Sequence, residues 1–295
     1  MHHLFNPACV PNPAPRPTPS PRCLSLLAVH QADPEFGGPS VELVAGLISK
    51  AYAAERVKLL NMSHAARKVP PGTPPSEAAM RHGFPTSAAG QSLDHTSADT
   101  MYLTVADSEG TMVSLIQSNY EGFGSGLVIP SLGFGLQDRG SLFNMARGSA
   151  NQYMPGKRPF HTIIPGFATS IDADGGGEKP WLAFGVMGGN IQPQGHAQIL
   201  ANIIDFGMNV QEAGDAARYT HSGSSQPTGQ IMDDGGEVQL EGGVCAAVAE
   251  ELRARGHKVY RGANGGGYQA IMYDHEHGSY IGATEMRKDG IAAGY

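Results

Sequence analysis

The chain has 295 residues, of which 40% are apolar and 16% charged, with a formal net charge of -7. That composition fits a globular protein with a full core, and the acidic balance gives no reason to expect nucleic acid or a membrane as partner. No apolar run is long enough to span a membrane and no clear secretory signal is readable. The compartment therefore stays unknown, with a cytoplasmic location as the default expectation.

The first 39 residues are predicted to be a disordered, Pro-rich tail. Proline alternates with small residues from Pro7 to Pro21, a pattern typical of extended, unpacked chain. Two of the three cysteines, Cys9 and Cys23, fall in this tail, and the third is Cys245. A disulfide framework is therefore not expected, and no CxxC spacing indicates a zinc site.

Residues 40–99 are predicted to be a helix followed by a linker. Pro39 and Ser40 provide a helix start. Apolar residues then recur at helical spacing to about residue 60, namely Val44, Leu47, Ile48, Ala51 and Tyr52. The segment 69–97 is rich in Pro, Gly, Ser and Thr, which favours a flexible linker of unusual length.

From Thr100 onwards the pattern predicts strand pairs alternating with helices. Strand-like runs occur at 101–106 and 112–117, 160–171 and 181–187, and 269–273 and 279–283, each pair around a turn. A helix with Ile199, Leu200, Ile203 and Ile204 on one face ends at Gly207. Further helices are expected from Asn209, with Glu212 completing a capping box, and over 244–255. This order predicts an α+β fold with mostly antiparallel sheets.

Thr100 begins a strand immediately after the polar linker, where a peptide bond could be exposed and cut. A free α-amine on Thr100 would have a reference pKa of about 7.7 to 8.0, which suits a general base at working pH. One residue would then supply both the nucleophilic hydroxyl and the base that activates it. The residue pattern alone favours an ordinary strand threonine.

From Thr100 to the end of the chain, several short sequence motifs resemble those of the γ-glutamyltransferase family in order and spacing. The block Asp99-Thr100-Met101-Tyr102-Leu103-Thr104-Val105 is similar to the family's self-cleavage site. Four further phrases follow in family order: Phe123-Gly124-Ser125-Gly126, Lys157-Arg158-Pro159, Met187-Gly188-Gly189 and Arg287-Lys288-Asp289. The resemblance implies an N-terminal-nucleophile (Ntn) hydrolase with a four-layer αββα sandwich, incomplete here. It makes 100–295 the small-subunit catalytic domain and 40–99 a remnant of the large subunit with its linker.

The same resemblance implies roles for individual residues. Cleavage between Asp99 and Thr100 would expose Thr100 as the nucleophile, with Ser118 hydrogen-bonded to it. Gly188 and Gly189 match the pair whose backbone N–H groups form the oxyanion hole, a task that suits glycine because the backbone must approach the oxygen closely. The two cleaved chains would stay associated, and neither a metal nor an organic cofactor is expected.

The residues expected to bind substrate depart from the γ-glutamyl pattern. Arg139 and Leu142 stand where glutamyl-cleaving members hold the substrate ammonium, and a guanidinium instead suits a carboxylate. The other predicted substrate contacts are His161, Thr162, Asn119 and Tyr120. Despite these departures, the family resemblance as a whole implies cleavage of γ-glutamyl amides of the glutathione type. The alternatives are an acylase for another carboxylated amide, of the cephalosporin acylase or oxamate amidohydrolase type, or an inactive truncated fragment.

Three other features are interpreted as structural. The run 274–277 (Asp-His-Glu-His) is expected to be a solvated hairpin turn rather than a metal site. Three glycines at 265–267 lack the context of a phosphate loop and predict a plain flexible loop. His196 opens a helix and is expected to be a packing or capping residue rather than a base.

Overall fold

A computed structural model describes residues 31–69, 72, 98–171, 175–262 and 265–295 of the chain. Pro7–Pro21, Cys9, Cys23 and nearly all of the predicted linker lie outside these ranges. The strands are β1 (Ala98–Ala106), β2 (Met112–Glu121), β3 (Val128–Ile129), β4 (Phe134–Gly135), β5 (Gly166–Ile171), β6 (Glu178–Met187), β7 (Tyr219–Ser222), β8 (Glu237–Leu240), β9 (Lys258–Arg261), β10 (Gly267–Asp274) and β11 (Ser279–Thr284). The α-helices are α1 (Val41–Leu47), α2 (Lys50–Val57), α3 (Gln192–Ile204), α4 (Val210–Asp215) and α5 (Ala246–Ala254).

The central sheet is antiparallel, with strand order β11-β10-β6-β5. The two faces of β6 meet different neighbours, as expected for alternating side chains. Leu182, Phe184 and Val186 lie in one core cluster with residues of α3 and α4. On the opposite face, a Cβ atom at Gly185 would lie 2.4 Å from the ring of Tyr102 in β1. The sheet is therefore covered by α3 and α4 on one face and by the β1–β2 hairpin on the other.

The hairpin alternates in the same way. Its inner face includes Tyr102, which is 4% exposed, and Ser114, whose Oγ donates to the carbonyl oxygen of Gly166 at 2.8 Å. Its outer face is apolar and exposed, and carries Met101, Leu103, Val105, Val113 and Leu115. Among the described residues, three of the four expected layers are present: hairpin, sheet and helices. The four-layer sandwich stays a prediction.

A second sheet, β7-β8-β9, lies beside this unit and packs against α5. Its β8–β9 pair is parallel, while the other strand pairs of the described chain are antiparallel. The apolar cluster of this sheet contains Val238, Leu240, Ala249 and Val259. Strands β7, β8 and β9 are not predicted from the sequence, because each has only four residues, too few for a clear alternation of apolar and polar side chains.

Most predicted elements from Thr100 onwards are confirmed, including the hairpin turns after β1 and β10 and the capping box of Asn209 and Glu212. The expected strand 160–171 is wrong in its first half, since β5 begins at Gly166. The expected apolar face of α3 is wrong at Ile204, which is 64% exposed. This position lies in the last turn, beyond the area that the sheet covers.

The single helix predicted over 40–60 is instead two short helices, α1 and α2. Ser49 explains the break, because its Oγ accepts from the N–H of Tyr52 and donates to the carbonyl oxygen of Gly46. A serine in this role caps a new helix rather than continuing the old one. Apolar periodicity does not register such a cap.

One expectation for the N-terminal part needs correction. Residues 34–36 form a short 3-10 helix, and Asp33 accepts hydrogen bonds from the backbone and guanidinium of Arg158. This ordered turn corrects the expectation that the disordered tail extends to residue 39. Two of the three cysteines, Cys9 and Cys23, lie outside the described residues, so the absence of a disulfide framework stays a prediction. Among the described residues, no helix has the length and apolar character needed to cross a bilayer.

Candidate active site

The predicted nucleophile lies at an irregularity of the hairpin. Thr100 pairs with Ser118, whereas the preceding residue, Asp99, pairs with Tyr120, so the register shifts at the Asp99–Thr100 bond. Asn119 is the extra residue of this β-bulge. A bulge re-aims side chains and interrupts the ladder locally, and here it does so at the peptide bond that is predicted to be cut.

Thr100 and Ser118 face each other on the inner side of the hairpin. Thr100 Oγ1 donates to Ser118 Oγ at 3.0 Å, and the backbone N–H of Tyr120 donates to the same oxygen at 2.8 Å. The Ser118 oxygen is thus fixed by the backbone and in turn orients the threonine hydroxyl. The expected contact between Thr100 and Ser118 is present, and the catalytic roles of both stay predictions.

Tyr120 joins this hydroxyl pair to a buried arginine. Its φ of 82° makes it the one non-glycine residue with positive φ in the described chain, a conformation that costs on the order of 1–3 kcal/mol. Its side chain is 5% exposed and packs with Leu142 and Phe160. Burial raises the pKa of the Tyr120 phenol to about 12. The guanidinium of Arg139 lies over the ring, 4.9 Å from its centroid.

Arg139 is 4% exposed, which excludes the simple interpretation of a surface arginine after a turn. Its Nη1 donates to Thr162 Oγ1 at 3.1 Å. Its Nε and Nη2 are buried without a hydrogen-bond partner in the described structure. These two atoms form one edge of the guanidinium, the arrangement that binds a carboxylate with two parallel hydrogen bonds. Burial lowers the pKa of this group from its usual value, although an arginine remains charged at neutral pH.

The other predicted substrate residues surround Arg139. The pKa of His161 is lowered by burial and by the charge of Arg139, which favours the neutral imidazole at neutral pH. Thr162 is 4% exposed and is a partner of Arg139. Asn119 accepts a hydrogen bond from the N–H of Asp138 at 3.1 Å, which brings the end of β2 beside the Arg139 turn. Leu142 is fully buried in the cluster beneath Tyr120 and offers no polar group to a substrate.

The predicted oxyanion glycines lie at the end of β6, on the sheet against which β1 packs. Gly188 has φ 135° and Gly189 has φ 65°, so both adopt backbone conformations that favour glycine. A 3-10 turn over Gly189–Ile191 then leads into α3. Backbone N–H groups at the start of a helix point toward a bound anion, and this position suits an oxyanion hole. That role stays a prediction.

His196 and the turn 274–277 behave as structural features. His196 Nε2 accepts from the N–H of Val186 at 3.1 Å, and burial lowers the pKa of the imidazole to about 4. Asp274 Oδ2 and His277 Nδ1 pair with each other at 2.7 Å in the turn. Among the described residues, no cluster of three or more His, Cys, Asp or Glu side chains could hold a metal.

Sequence reasoning misses the supports of the site. Tyr120 is predicted only as a substrate contact, whereas it also carries the strained backbone and the ring beneath Arg139. A group of buried charges next to Gly188, containing Arg218 and Glu285, is missed entirely. No local signal marks these charges as buried, because Glu285 stands in a charged stretch with Arg287, Lys288 and Asp289, a pattern typical of a solvated turn.

Comparison with known proteins identifies the family of this chain. The Gamma-glutamyltranspeptidase family model matches residues 25–295. The oxamate amidohydrolase proenzyme of Klebsiella pneumoniae is 35% identical over 200 residues, covering 67% of this chain and 36% of that protein. The acylase ACY 1 proenzyme of Pseudomonas sp. is 34% identical over 266 residues, covering 89% and 40%. The crystal structure of cephalosporin acylase from Bacillus halodurans is 37% identical with a TM-score of 0.71, covering 92% and 43%.

The chain spans about two fifths of the length of each of these relatives. Glutathione hydrolase proenzymes also match, among them one from Bacillus subtilis at 29% identity over 90% of this chain. The matches therefore include several hydrolases with differently named substrates. Because the family model covers nearly the whole sequence, the chain belongs to the gamma-glutamyltranspeptidase family of Ntn hydrolases.

Proposed function

We propose that this protein hydrolyses or transfers the acyl group of an amide through an acyl-Thr100 intermediate, and that the acyl group ends in a carboxylate. The observation that carries the substrate class is the buried edge of Arg139. A buried guanidinium with two unused donors costs free energy unless a ligand satisfies it. A carboxylate would supply two acceptors in the required geometry.

Activation begins with cleavage of the Asp99–Thr100 bond. Thr100 Oγ1 attacks the carbonyl carbon of Asp99, and the amide becomes an ester as the Thr100 nitrogen leaves with a proton. Water then hydrolyses the ester, which leaves a carboxylate on Asp99 and a free amine on Thr100. The bulge between these residues supports this step, because it removes regular ladder hydrogen bonding at the bond that must distort.

The free Thr100 amine then serves as the base. It takes the proton of Thr100 Oγ1 as this oxygen attacks the substrate amide, and it returns the proton to the leaving amine. Water repeats the sequence on the acyl ester and releases the acid, whereas an acceptor amine would form a new amide. The N–H groups of Gly188 and Gly189 stabilise the oxyanion of both tetrahedral intermediates.

The position of Arg139 favours a plain carboxylated acyl group over a γ-glutamyl group. The resemblance places Arg139 where glutamyl-cleaving relatives hold the substrate ammonium, and a guanidinium repels that charge. Leu142, at the companion position, is buried and apolar. A glutaryl-type acyl group carries the carboxylate without the ammonium. The γ-glutamyl group is the alternative, supported by the matches to glutathione hydrolases.

A second candidate function is a polypeptide that works only with a further partner chain. The exposed apolar face of the hairpin supports it, since Met101 is 61% and Val105 54% exposed beside the nucleophile. The relatives contain more than twice the length that this chain spans. In this candidate function, the partner chain would cover this face, and the chain alone would stay uncut and inactive.

Two measurements on the purified chain test the proposal. The intact mass after incubation at neutral pH shows whether two fragments meeting between Asp99 and Thr100 appear. Hydrolysis of glutaryl-p-nitroanilide and γ-glutamyl-p-nitroanilide, which differ by the α-ammonium, then compares the two acyl groups. A higher kcat/KM for the glutaryl compound supports the proposed class, and the reverse order favours the γ-glutamyl alternative. A chain that stays uncut and inactive supports the partner-dependent candidate.

A further inference from the structure

A network of four charged side chains lies behind the Gly188–Gly189 turn, in which Glu241 and Arg287 are only 12% and 15% exposed and the other two are fully buried. Arg218 and Glu285 pair at 3.0 Å with side chains 1% and 0% exposed. Arg287 bonds Glu241 through Nε at 2.7 Å and Nη2 at 2.6 Å, and bonds Glu285 through Nη1 at 2.7 Å. We call these four residues the buried charge network. Its two guanidinium and two carboxylate groups balance in charge.

The network holds Gly265 at both of its hydrogen-bonding groups. Arg218 Nη1 donates to the Gly265 carbonyl oxygen at 2.6 Å, and the Gly265 N–H donates to Glu241 Oε1 at 3.1 Å. The other oxygen of Glu241 accepts from the backbone N–H of Arg218 at 2.8 Å. The expectation of a plain flexible loop at 265–267 is therefore wrong. A charged side chain fixes each side of Gly265, and Gly267 begins β10.

The next residue, Gly266, lies directly against the predicted oxyanion turn. A Cβ atom at Gly188 would be 3.1 Å from Gly266 Cα, and a Cβ atom at Gly266 would be 2.3 Å from the carbonyl oxygen of Met187. The two backbone segments are thus in contact with no side chain between them. A shift of Gly266 would move Gly188 or open a gap behind it, because packed interiors transmit displacement.

Stability alone is a weak explanation for such a network. A buried ion network pays a desolvation penalty, and replacing one with packed apolar residues is often neutral or stabilising. What ion pairs and charge-assisted hydrogen bonds add is fixed geometry. This network fixes the position of Gly265. The next residue in the chain, Gly266, contacts Gly188.

We infer that the buried charge network positions the Gly188–Gly189 turn by clamping the Gly265–Gly266 segment behind it. Arg218 and Glu241 are positioning residues in this inference and do not touch the substrate. The inference rests on the proposed function, since it assumes that the turn stabilises the oxyanion. Loosening the clamp would then misplace the N–H donors in the transition state while leaving the Arg139 site intact.

The test uses two variants: Glu241→Gln, which is near-isosteric, and Arg218→Lys, which keeps the charge but loses the planar set of donors. Each is expected to lower kcat for glutaryl-p-nitroanilide by about 10- to 100-fold, with KM within about twofold of the unchanged protein. Val259→Ala, in the separate cluster of the three-stranded sheet, is the control for general destabilisation. A kcat loss of the same size in Val259→Ala would overturn the inference, as would an effect confined to KM.

Hydrogen exchange provides a readout that does not need activity. The same three substitutions are placed in a Thr100→Ala background, so that every chain has the same cleavage state. Exchange of the peptide spanning 186–192 is expected to accelerate about tenfold in the two network variants and to stay unchanged with Val259→Ala. Equal exchange in all chains would refute the positioning role. If the parent protein hydrolyses neither anilide, the proposed function fails, and this exchange comparison alone decides whether the network positions the turn.

Discussion

The two regions that contribute to the candidate site differ in how completely they are enclosed. The central sheet, which ends in the Gly188–Gly189 turn, is covered by α3 and α4 on one face and by the hairpin on the other. The hairpin, which carries Thr100, buries only its inner face. Leu103 is 45% exposed on the outer face, whereas Leu182 of β6 is fully buried.

This difference shows which part of the chemistry the described chain supports by itself. The Gly188–Gly189 turn, the predicted oxyanion hole, has a core, a helix start and a charge network behind it, all within this chain. Thr100, the predicted nucleophile, has a bulge and a hydroxyl partner on one side and an uncovered apolar surface on the other. Exposed apolar surface beside a reacting group marks an interaction site. We therefore expect a partner polypeptide to affect the hairpin that carries Thr100 more than the region of the Gly188–Gly189 turn.

The largest effect is expected from Thr100→Ala, which removes the nucleophile. This substitution should abolish self-cleavage and lower hydrolysis by about 10⁴-fold or more, because the acyl-enzyme can no longer form. Intact mass and the rate of p-nitroaniline release measure the two effects. A Thr100→Ala chain that still hydrolyses the substrate would contradict the mechanism.

A matched pair of substitutions sharpens this test. Thr100→Ser keeps the hydroxyl on Cβ and, after cleavage, the amine on Cα. This variant should therefore retain measurable self-cleavage. Thr111→Ala lies in the turn at the far end of the same hairpin and should leave both readouts unchanged. If Thr111→Ala is as inactive as Thr100→Ala, hairpin folding rather than nucleophile chemistry is being measured.

The next prediction separates the hairpin from the sheet on which it packs. A methyl group at Gly185 would lie 2.4 Å from the Tyr102 ring, so Gly185→Ala should push the hairpin away from β6. Overpacking of this kind costs about 1–3 kcal/mol of unfolding free energy, measurable by urea denaturation. Self-cleavage should slow as well, because Thr100 lies two residues from Tyr102. Gly110→Ala is a poor control, since its φ is 91°, whereas Gly242→Ala meets open space and suits the purpose.

Arg139→Met tests the substrate pocket beside the hairpin. A charge-assisted hydrogen-bonded contact contributes about 1.5 to 3 kcal/mol of binding free energy. Its loss should therefore raise KM for glutaryl-p-nitroanilide by roughly 10- to 150-fold. Methionine keeps an unbranched apolar side chain over the Tyr120 ring, which limits the packing loss. Arg147→Met replaces an exposed arginine outside the pocket and should leave KM unchanged. An unchanged KM in Arg139→Met would remove Arg139 from the pocket.

How far the sequence reaches also differs between the two regions. The hairpin, β10, β11 and the capping box of α4 follow from local patterns, because turn residues and alternation act over a few positions. The burial of Arg139 and the network around Arg218 do not, since both depend on residues brought together from distant parts of the chain. Thr100 itself came from resemblance; its residue pattern alone indicates an ordinary strand threonine. The bulge at Asn119 has no recognisable sequence signal.

The smallest effect is expected in the enclosed region, where His196 reports how well water is excluded. Its folded pKa is about 4, below the ordinary 6.5 of the unfolded chain. The unfolded state therefore binds more protons between these two pH values. The contribution of neutral His196 to the free energy of unfolding is fully present above pH 6.5 and is lost as the pH falls toward 4. Between neutral pH and pH 5 the loss should be about 2 kcal/mol.

The difference between the parent chain and His196→Gln isolates this contribution from other titrating groups. Glutamine stays uncharged and can accept from the Val186 N–H, so the unfolding free energy of His196→Gln should fall less between pH 7 and pH 5. Val259→Ala removes no titrating group, so its unfolding free energy should run parallel to the parent curve. Parallel curves for the parent and His196→Gln would mean that water reaches the helix-covered face of β6. The two regions would then be equally open, and the contrast between a closed oxyanion half and an open nucleophile half would no longer hold.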